Sequence, residues 1–155
     1  MSHVPPPIAA FLQSRRLVVA GVSRSGAQPA NAIFRRLRDA GFDVVAVNPR
    51  ASGLEGATCF PDLASVPGEV DGVMVVTPPA AAETVVRQAA ARGIRKIWFH
   101  RSFGQGSVSE AALRACADLG IDPIVGGCPM MYIEPIDLPH RCFRWWLGNR
   151  GQVPA

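Results

Sequence analysis

The sequence predicts a single-domain α/β protein of Rossmann-like architecture: a doubly wound, five-stranded parallel sheet with helices on both faces. Three observations predict it. Short apolar runs that suit buried strands alternate with segments whose apolar residues recur at helical spacing. Glycine or proline punctuates most of the boundaries between them. The first strand-like run passes through a glycine-containing turn straight into a helical pattern, "VVAGVSRSGAQPANAIFRRL" from Val18 to Leu37, which is how nucleotide-binding α/β folds begin.

A helix at Ile8–Ser14 is expected ahead of the sheet. Leu17–Val22 is a continuous apolar run, as a strand buried on both faces should be. Ala30–Ala40 carries Ile33, Phe34 and Leu37 at helical spacing and ends at Gly41. Val44–Val47 is the second strand, closed by Asn48-Pro49 because proline cannot continue a central ladder. Residues 50–70 read as a turn-rich connection with a short helical piece near Leu63. Gly72–Val76 is the third strand, after which Thr77-Pro78-Pro79 opens a helix through Ala91; proline suits a first helical turn, whose N–H groups have no intrahelical partner. Lys96–His100 makes the fourth strand. Ser107-Val108-Ser109-Glu110 has the Ser-x-x-Glu form of a capping box and starts a helix to Leu119, stopped by Gly120. Ile121–Val125 is the fifth strand. The expected order is 3-2-1-4-5, with residues 1–15 as an N-terminal extension, 16–134 as the sheet domain and 135–155 as a C-terminal tail.

In such sheets ligands sit outside the carboxyl ends of the strands, where the strand order reverses. That singles out three turns. The first reads Gly21-Val22-Ser23-Arg24-Ser25-Gly26, which lacks the middle glycine of G-x-G-x-x-G and the Gly-Lys-Ser/Thr ending of a P-loop. Gly21 permits a tight turn, while Ser23, Arg24, Ser25 and Gly26 offer backbone N–H groups and hydroxyls beside a helix N-terminus, where unpaired amides and the helix dipole favour an anion. Gln28 and Asn31 read as capping residues of that helix. After the second strand an NAD-binding fold usually places a carboxylate for the ribose hydroxyls, whereas this chain has Val47-Asn48-Pro49-Arg50. The Arg50 guanidinium suits a ribose phosphate instead, either the 2′-phosphate of NADP or the 3′-phosphate of coenzyme A. After the third strand, Thr77, Pro78 and Pro79 supply a stiff apolar surface for an adenine or ribose, and a hydroxyl for a helix cap or a phosphate.

Together these residues carry a resemblance. The chain resembles the coenzyme A-binding domain family, small stand-alone relatives of the N-terminal domain of the succinyl-CoA synthetase alpha subunit. The resemblance covers Arg16 to Glu134. It rests on Gly21-Val22-Ser23-Arg24, where the family has a Gly-Ala-Ser-Arg-like turn, and on Val47-Asn48-Pro49, Cys59-Phe60-Pro61-Asp62-Leu63, Val75-Val76-Thr77-Pro78-Pro79, Ile97-Trp98-Phe99-His100 and Cys128-Pro129-Met130-Met131. It implies that Gly21, Ser23 and Arg24 meet a pyrophosphate, that Asn48, Pro49 and Arg50 lie beside the ribose phosphate, and that Thr77, Pro78 and Pro79 flank the adenosine. The implied ligand is coenzyme A or an acyl-CoA, and the implied function is that of a binding or regulatory module rather than a catalyst.

The enzyme alternative is an NADP-dependent oxidoreductase, for which Arg50 and the strand-Thr-Pro-Pro turn are equally suited. Against it, dehydrogenases generally add a substrate domain, and about thirty residues follow Val125. His100 and Cys128 fall at the same sheet edge, and a Cys-His pair can form an activated thiolate; ligand-edge or structural roles are expected, and no catalytic residue is assigned. Cys59, Cys116, Cys128 and Cys142 form no C-x-x-C, and Cys128, His140 and Cys142 lack ordinary zinc-ligand spacing, so reduced thiols and no metal are expected. The tail "HRCFRWWLGNR" mixes arginines with aromatics as a nucleic-acid stacking surface does. A short segment of this kind is expected instead to dock on the domain, on a second copy in a homodimer or on a partner protein, with neither nucleic acid nor membrane as partner. An apolar content of 48% with 18% charged residues is globular, and no apolar run approaches the ~18 residues of a membrane span. The opening residues show no signal-peptide pattern, which makes the cytoplasm the expected location.

Overall fold

The computed structural model describes residues 3–102 and 104–154. Residues 1 and 2 of the expected extension and residue 155 of the expected tail lie outside them. The sheet has seven strands, β1 Arg16–Ala20, β2 Asp43–Val47, β3 Gly53–Leu54, β4 Ala57–Phe60, β5 Gly72–Val75, β6 Lys96–Phe99 and β7 Ile124–Val125, in the order β3-β4-β2-β1-β5-β6-β7. All neighbouring pairs are parallel except β3 with β4. The five-strand expectation is therefore corrected to seven, and the sheet is mostly rather than wholly parallel.

The two extra strands lie in the segment read as a connection. Leu54 and Ala57 flank a two-residue hairpin loop, Glu55-Gly56, with φ of 54° and 73°. Such a loop needs left-handed backbone at both central positions, for which Asn-Gly or Asp-Gly is the usual signal; glutamate in the first position hides it. With β4 beside β2, the expected strand order is corrected too. Gly72–Val75 pairs with β1 on the opposite side from β2, Leu17 facing Gly72 and Ala20 facing Val75. No helix forms near Leu63: Asp62 Oδ1 accepts from the Ser65 N–H at 2.8 Å and its hydroxyl at 2.7 Å, making a turn, while the Arg92 guanidinium donates to the Leu63, Val66 and Gly68 carbonyls.

Strand side chains alternate between two cores, as the pleat requires. Leu17, Val19, Met74 and Trp98 face α1 (Pro6–Leu12), α2 (Pro29–Asp39) and α5 (Leu138–Gly148); Val18, Val73, Val75 and Phe99 face α3 (Pro79–Ala91) and α4 (Glu110–Asp118). Trp98 is fully buried, stands edge-on to Phe11 at 5.4 Å between ring centroids, and donates from Nε1 to the Gly126 carbonyl at 2.8 Å. An indole so placed satisfies its polar atom while joining α1 to the sheet.

Several boundaries differ from the sequence reading for local reasons. The first helix spans Pro6–Leu12 rather than Ile8–Ser14, since Pro6 and Pro7 fit its first turn. The capping box at Ser107 is not used: Ser109 caps α4, its hydroxyl accepting from the Ala112 N–H at 3.1 Å. The last strand is only Ile124–Val125, because the Ile121 N–H closes the preceding helix on the Cys116 carbonyl at 2.8 Å and Pro123 has no N–H to donate. The tail's α5 docks on the domain, with Leu147 buried.

At the centre of the sheet the Gly21 backbone, just past β1, comes so close to the Val76 carbonyl, just past β5, that only glycine fits there. Gly21 has φ of 108°, and a Cβ there would lie 2.3 Å from the Val76 carbonyl oxygen. Gly21→Ala is expected to lower the unfolding free energy of the ligand-free protein by about 1–3 kcal/mol, the usual cost of a strained backbone position, measured by urea denaturation; an unchanged midpoint would mean that the glycine serves only ligand approach.

Candidate functional site

A cleft of about 1240 Å³ opens over the carboxyl ends of β1, β2, β5 and β6. It exceeds the roughly 300–1,000 Å³ usual for small-molecule pockets. Of the residues singled out in the sequence, Gly21, Ser23, Asn48, Pro49, Arg50, Thr77 and Pro78 line it. Arg24, Gly26 and Pro79 are not part of its lining. Arg24 is exposed on the turn, the Gly26 carbonyl accepts from both Arg35 guanidinium nitrogens at 3.3 Å, and Pro79 is the first residue of α3.

The turn after β1 is held from behind. Asn31, only 1% exposed, accepts the Ser23 N–H at 3.0 Å and donates both to the Ser23 carbonyl at 2.8 Å and to Glu55 Oε1 at 2.7 Å. Glu55 also takes the Arg35 guanidinium at 2.7 Å. Asn31 therefore shapes the turn rather than capping α2, and Gln28 occupies the cap position without a side-chain cap bond. These two correct the capping expectation. The Asn31 amide, then Arg35, hold the Glu55 carboxyl below its ordinary value of 4.5. This network also anchors the left-handed Glu55 of the β3–β4 hairpin, so an edge strand and the turn after β1 share one buried amide.

Asn48 ties the second turn to the first. Its Nδ2 donates to the Val22 carbonyl at 2.7 Å, and its Oδ1 accepts the Arg50 N–H at 2.8 Å in an Asx turn. The Arg50 guanidinium, on the cleft wall, has no ion-pair or hydrogen-bond partner among the described residues. Thr77 Oγ1 is buried and likewise without a hydrogen-bond partner among them. A buried hydroxyl of this kind carries a desolvation cost that a bound acceptor would offset.

The other half of the cleft was only partly legible. His100 and Cys128 line it as their strand ends suggested, and so do Met130 and Met131 of the Cys-Pro-Met-Met motif and Ser107 of the expected capping box, together with Ser102, His140 and Phe143, to which no motif of the sequence assigns a place in the site. Burial lowers His100 to about 4, and its Nε2 lies 3.2 Å from Ser102 Oγ. Burial pushes the Cys128 thiol up to about 12. The imidazole is thus neutral and the sulfur protonated at neutral pH, the reverse of an activated pair.

A CoA binding domain profile matches residues 15–134. The chain belongs to the CoA binding domain family. This agrees with the resemblance read from the motifs, and the ADP-forming acetate–CoA ligase II of Archaeoglobus fulgidus is 27% identical over 92 residues, covering 58% of this chain and 14% of the ligase. The chain thus spans a small part of that enzyme. A conserved hypothetical protein from Pyrococcus furiosus is 30% identical, with a TM-score of 0.63 over 70% of this CoA binding domain protein and 90% of the other. A hypothetical protein from Pyrococcus horikoshii OT3 shares the fold at 22% identity, with a TM-score of 0.76 over 88% and 98% of the two chains. Among the described residues of this CoA binding domain protein, no helix is long and apolar enough to cross a membrane.

The shifted groups give the protein two separate acid responses. Between the ordinary 6.5 and about 4, the unfolded chain takes up a proton at His100 that the folded protein refuses, so stability falls as pH drops through that window. Glu55 acts lower: its contribution is present above 4.5 and is lost as pH falls through the lowered folded value. In urea unfolding followed against pH, His100→Asn is expected to flatten the limb between 6.5 and 4, and Glu55→Gln only the part below 4.5. A His100→Asn limb as steep as wild type would contradict the buried neutral imidazole.

Proposed function

We propose that the protein is a non-catalytic module that binds coenzyme A or an acyl-CoA in the cleft at the strand-order reversal. Family membership supports CoA binding. The observation that carries the site assignment is the Arg50 guanidinium, unpartnered on a loop that Asn48 holds rigid, where a dinucleotide fold would have a ribose-binding carboxylate. A 3′-phosphate meets such a group through charge-assisted, bidentate hydrogen bonds.

In this reading the pyrophosphate lies against the turn before α2, where Ser23 and the helix N-terminus provide donors and Gly21 gives the backbone its bend. Arg24 adds positive charge at the exposed lip, and Gly26 keeps the turn open beside Glu55. Asn48, Pro49 and Arg50 surround the ribose phosphate; Thr77 offers its free hydroxyl, and Pro78 and Pro79 form the stiff edge against the adenosine. The binding unit is residues 16–134, with the helices α1 and α5 of the flanking segments 1–15 and 135–155 packed onto it. Binding without catalysis is supported by the burial of His100 and Cys128, which makes the imidazole a weak base and keeps the thiol protonated at neutral pH.

The test compares CoA with dephospho-CoA, which differ only in the 3′-phosphate. CoA is expected to raise the melting temperature more and to bind more tightly by about 1.5–3 kcal/mol, the range of a hydrogen bond to a charged group. Arg50→Ala should remove the difference, while Arg24→Ala should weaken both ligands and make binding less salt-dependent. Equal affinities of the wild-type protein for the two ligands would overturn the assignment of Arg50.

A further inference from the structure

The half of the cleft beyond the phosphate turn has a chemistry that the nucleotide does not call for. Its walls are Ile33 from α2, Cys128, Met130 and Met131 from the segment after β7, and Phe143 from α5. They come from three separate elements: α2, which packs on β1 and β2, and α5 both touch the Pro129–Met131 turn that follows β7, on the opposite side of β1 from Arg50. A ligand whose ribose phosphate sits at Arg50 and whose pyrophosphate sits at the β1 turn sends its remaining arm into this lobe. We propose that the lobe is an acyl compartment and that the ligand is a CoA thioester carrying a small, uncharged aliphatic acyl group; this rests on the CoA reading of the nucleotide half.

Two features select that class. First, the wall is apolar and built partly of methionine, whose unbranched side chain adapts to aliphatic groups of differing shape. Ile33, Cys128 and Met131 are buried behind the wall, but Met130 and Phe143 are half-buried and a bare thiol leaves them in contact with water, whereas each methylene that covers them favours binding by about fourfold. Second, among the described residues no lysine or arginine lines this lobe, and Arg50 stands at the far end of the cleft. The polar groups present carry no unmatched positive charge: His100 and the Ser102 hydroxyl pair at 3.2 Å with the imidazole neutral, and any charge on His140 is met by Asp137, whose Oδ1 lies 2.6 Å from Nδ1. A carboxylated acyl group entering here loses its hydration without gaining a counter-ion, which disfavours it.

The experiment is isothermal titration calorimetry of the purified full chain with CoA, butyryl-CoA and succinyl-CoA, repeated on Met130→Gln. Butyryl-CoA is expected to bind wild type at least tenfold more tightly than CoA, with succinyl-CoA no tighter than CoA. In Met130→Gln the butyryl-CoA to CoA affinity ratio is expected to fall to within threefold. Wild-type affinities for CoA and butyryl-CoA within twofold of each other would overturn the acyl compartment while leaving the nucleotide site standing, as would succinyl-CoA being the tightest ligand. Failure of all three to bind would remove the CoA reading and this inference with it. A ratio unchanged in Met130→Gln would overturn the assignment of the methionine wall, and if that variant does not fold, the three wild-type affinities decide.

Discussion

The contact on which the rest of the structure depends is the close approach of the Gly21 backbone, just past β1, to the Val76 carbonyl, just past β5. Ala20 accepts the Val76 N–H at 2.9 Å, Gly21 donates to the Val47 carbonyl at 3.0 Å, and the space left at Gly21 has no room for a Cβ. The chain must leave β1 sharply here, between a strand on each side. Because α2 leaves β1 on one face and α3 leaves β5 on the other, the connections diverge to opposite faces, and the gap between them becomes the cleft. A side chain at residue 21 would push apart the two strands that frame it.

Around that gap the protein spends polar side chains on shape rather than on chemistry. Asn31, Asn48 and Glu55 all bond backbone or one another, and each links segments distant in sequence: the turn before α2, the loop after β2 and the edge hairpin. Such a network fixes the backbone of the turn after β1 and of the Asn48–Arg50 loop, which lowers the ordering cost of any ligand held by them. The two halves of the cleft then differ in chemistry: Ser23, Arg50 and Thr77 stand over β1, β2 and β5, whereas Met130, Met131 and Phe143 form an apolar wall beside His100, Ser102 and His140 in the other. A ligand that is anionic at one end and aliphatic at the other matches both.

The alternating elements and the three cleft turns were legible because each rests on a local signal: apolar runs for β1, β2, β5 and β6, helical spacing in α2, and prolines at the start of α3. What was not legible depends on contacts between distant residues. The β3–β4 hairpin turns on a glutamate in left-handed backbone, tolerated because Asn31 and Arg35 hold its carboxylate, and no window around Glu55 contains that information. Asn31 looked like a cap because its partner across the turn is eight residues away and its second partner twenty-four. The apolar lobe escaped for the same reason, since Ile33, Met130 and Phe143 become neighbours only when α2, the segment after β7 and α5 close on the sheet edge. Arg24 and Pro79 were placed by motif, and the lining of the cleft does not include them.

The central claim, that a CoA-type ligand lies across the strand-order reversal, is tested most directly by mapping backbone amide chemical shifts during a CoA titration. The account predicts the largest perturbations in Ser23–Gln28, at Asn48 and Arg50, and at Thr77, with smaller ones near His100 and Met130. Perturbations confined to the edge hairpin at residues 52–58, or spread over α3 and α4 with the three turns unmoved, would contradict it.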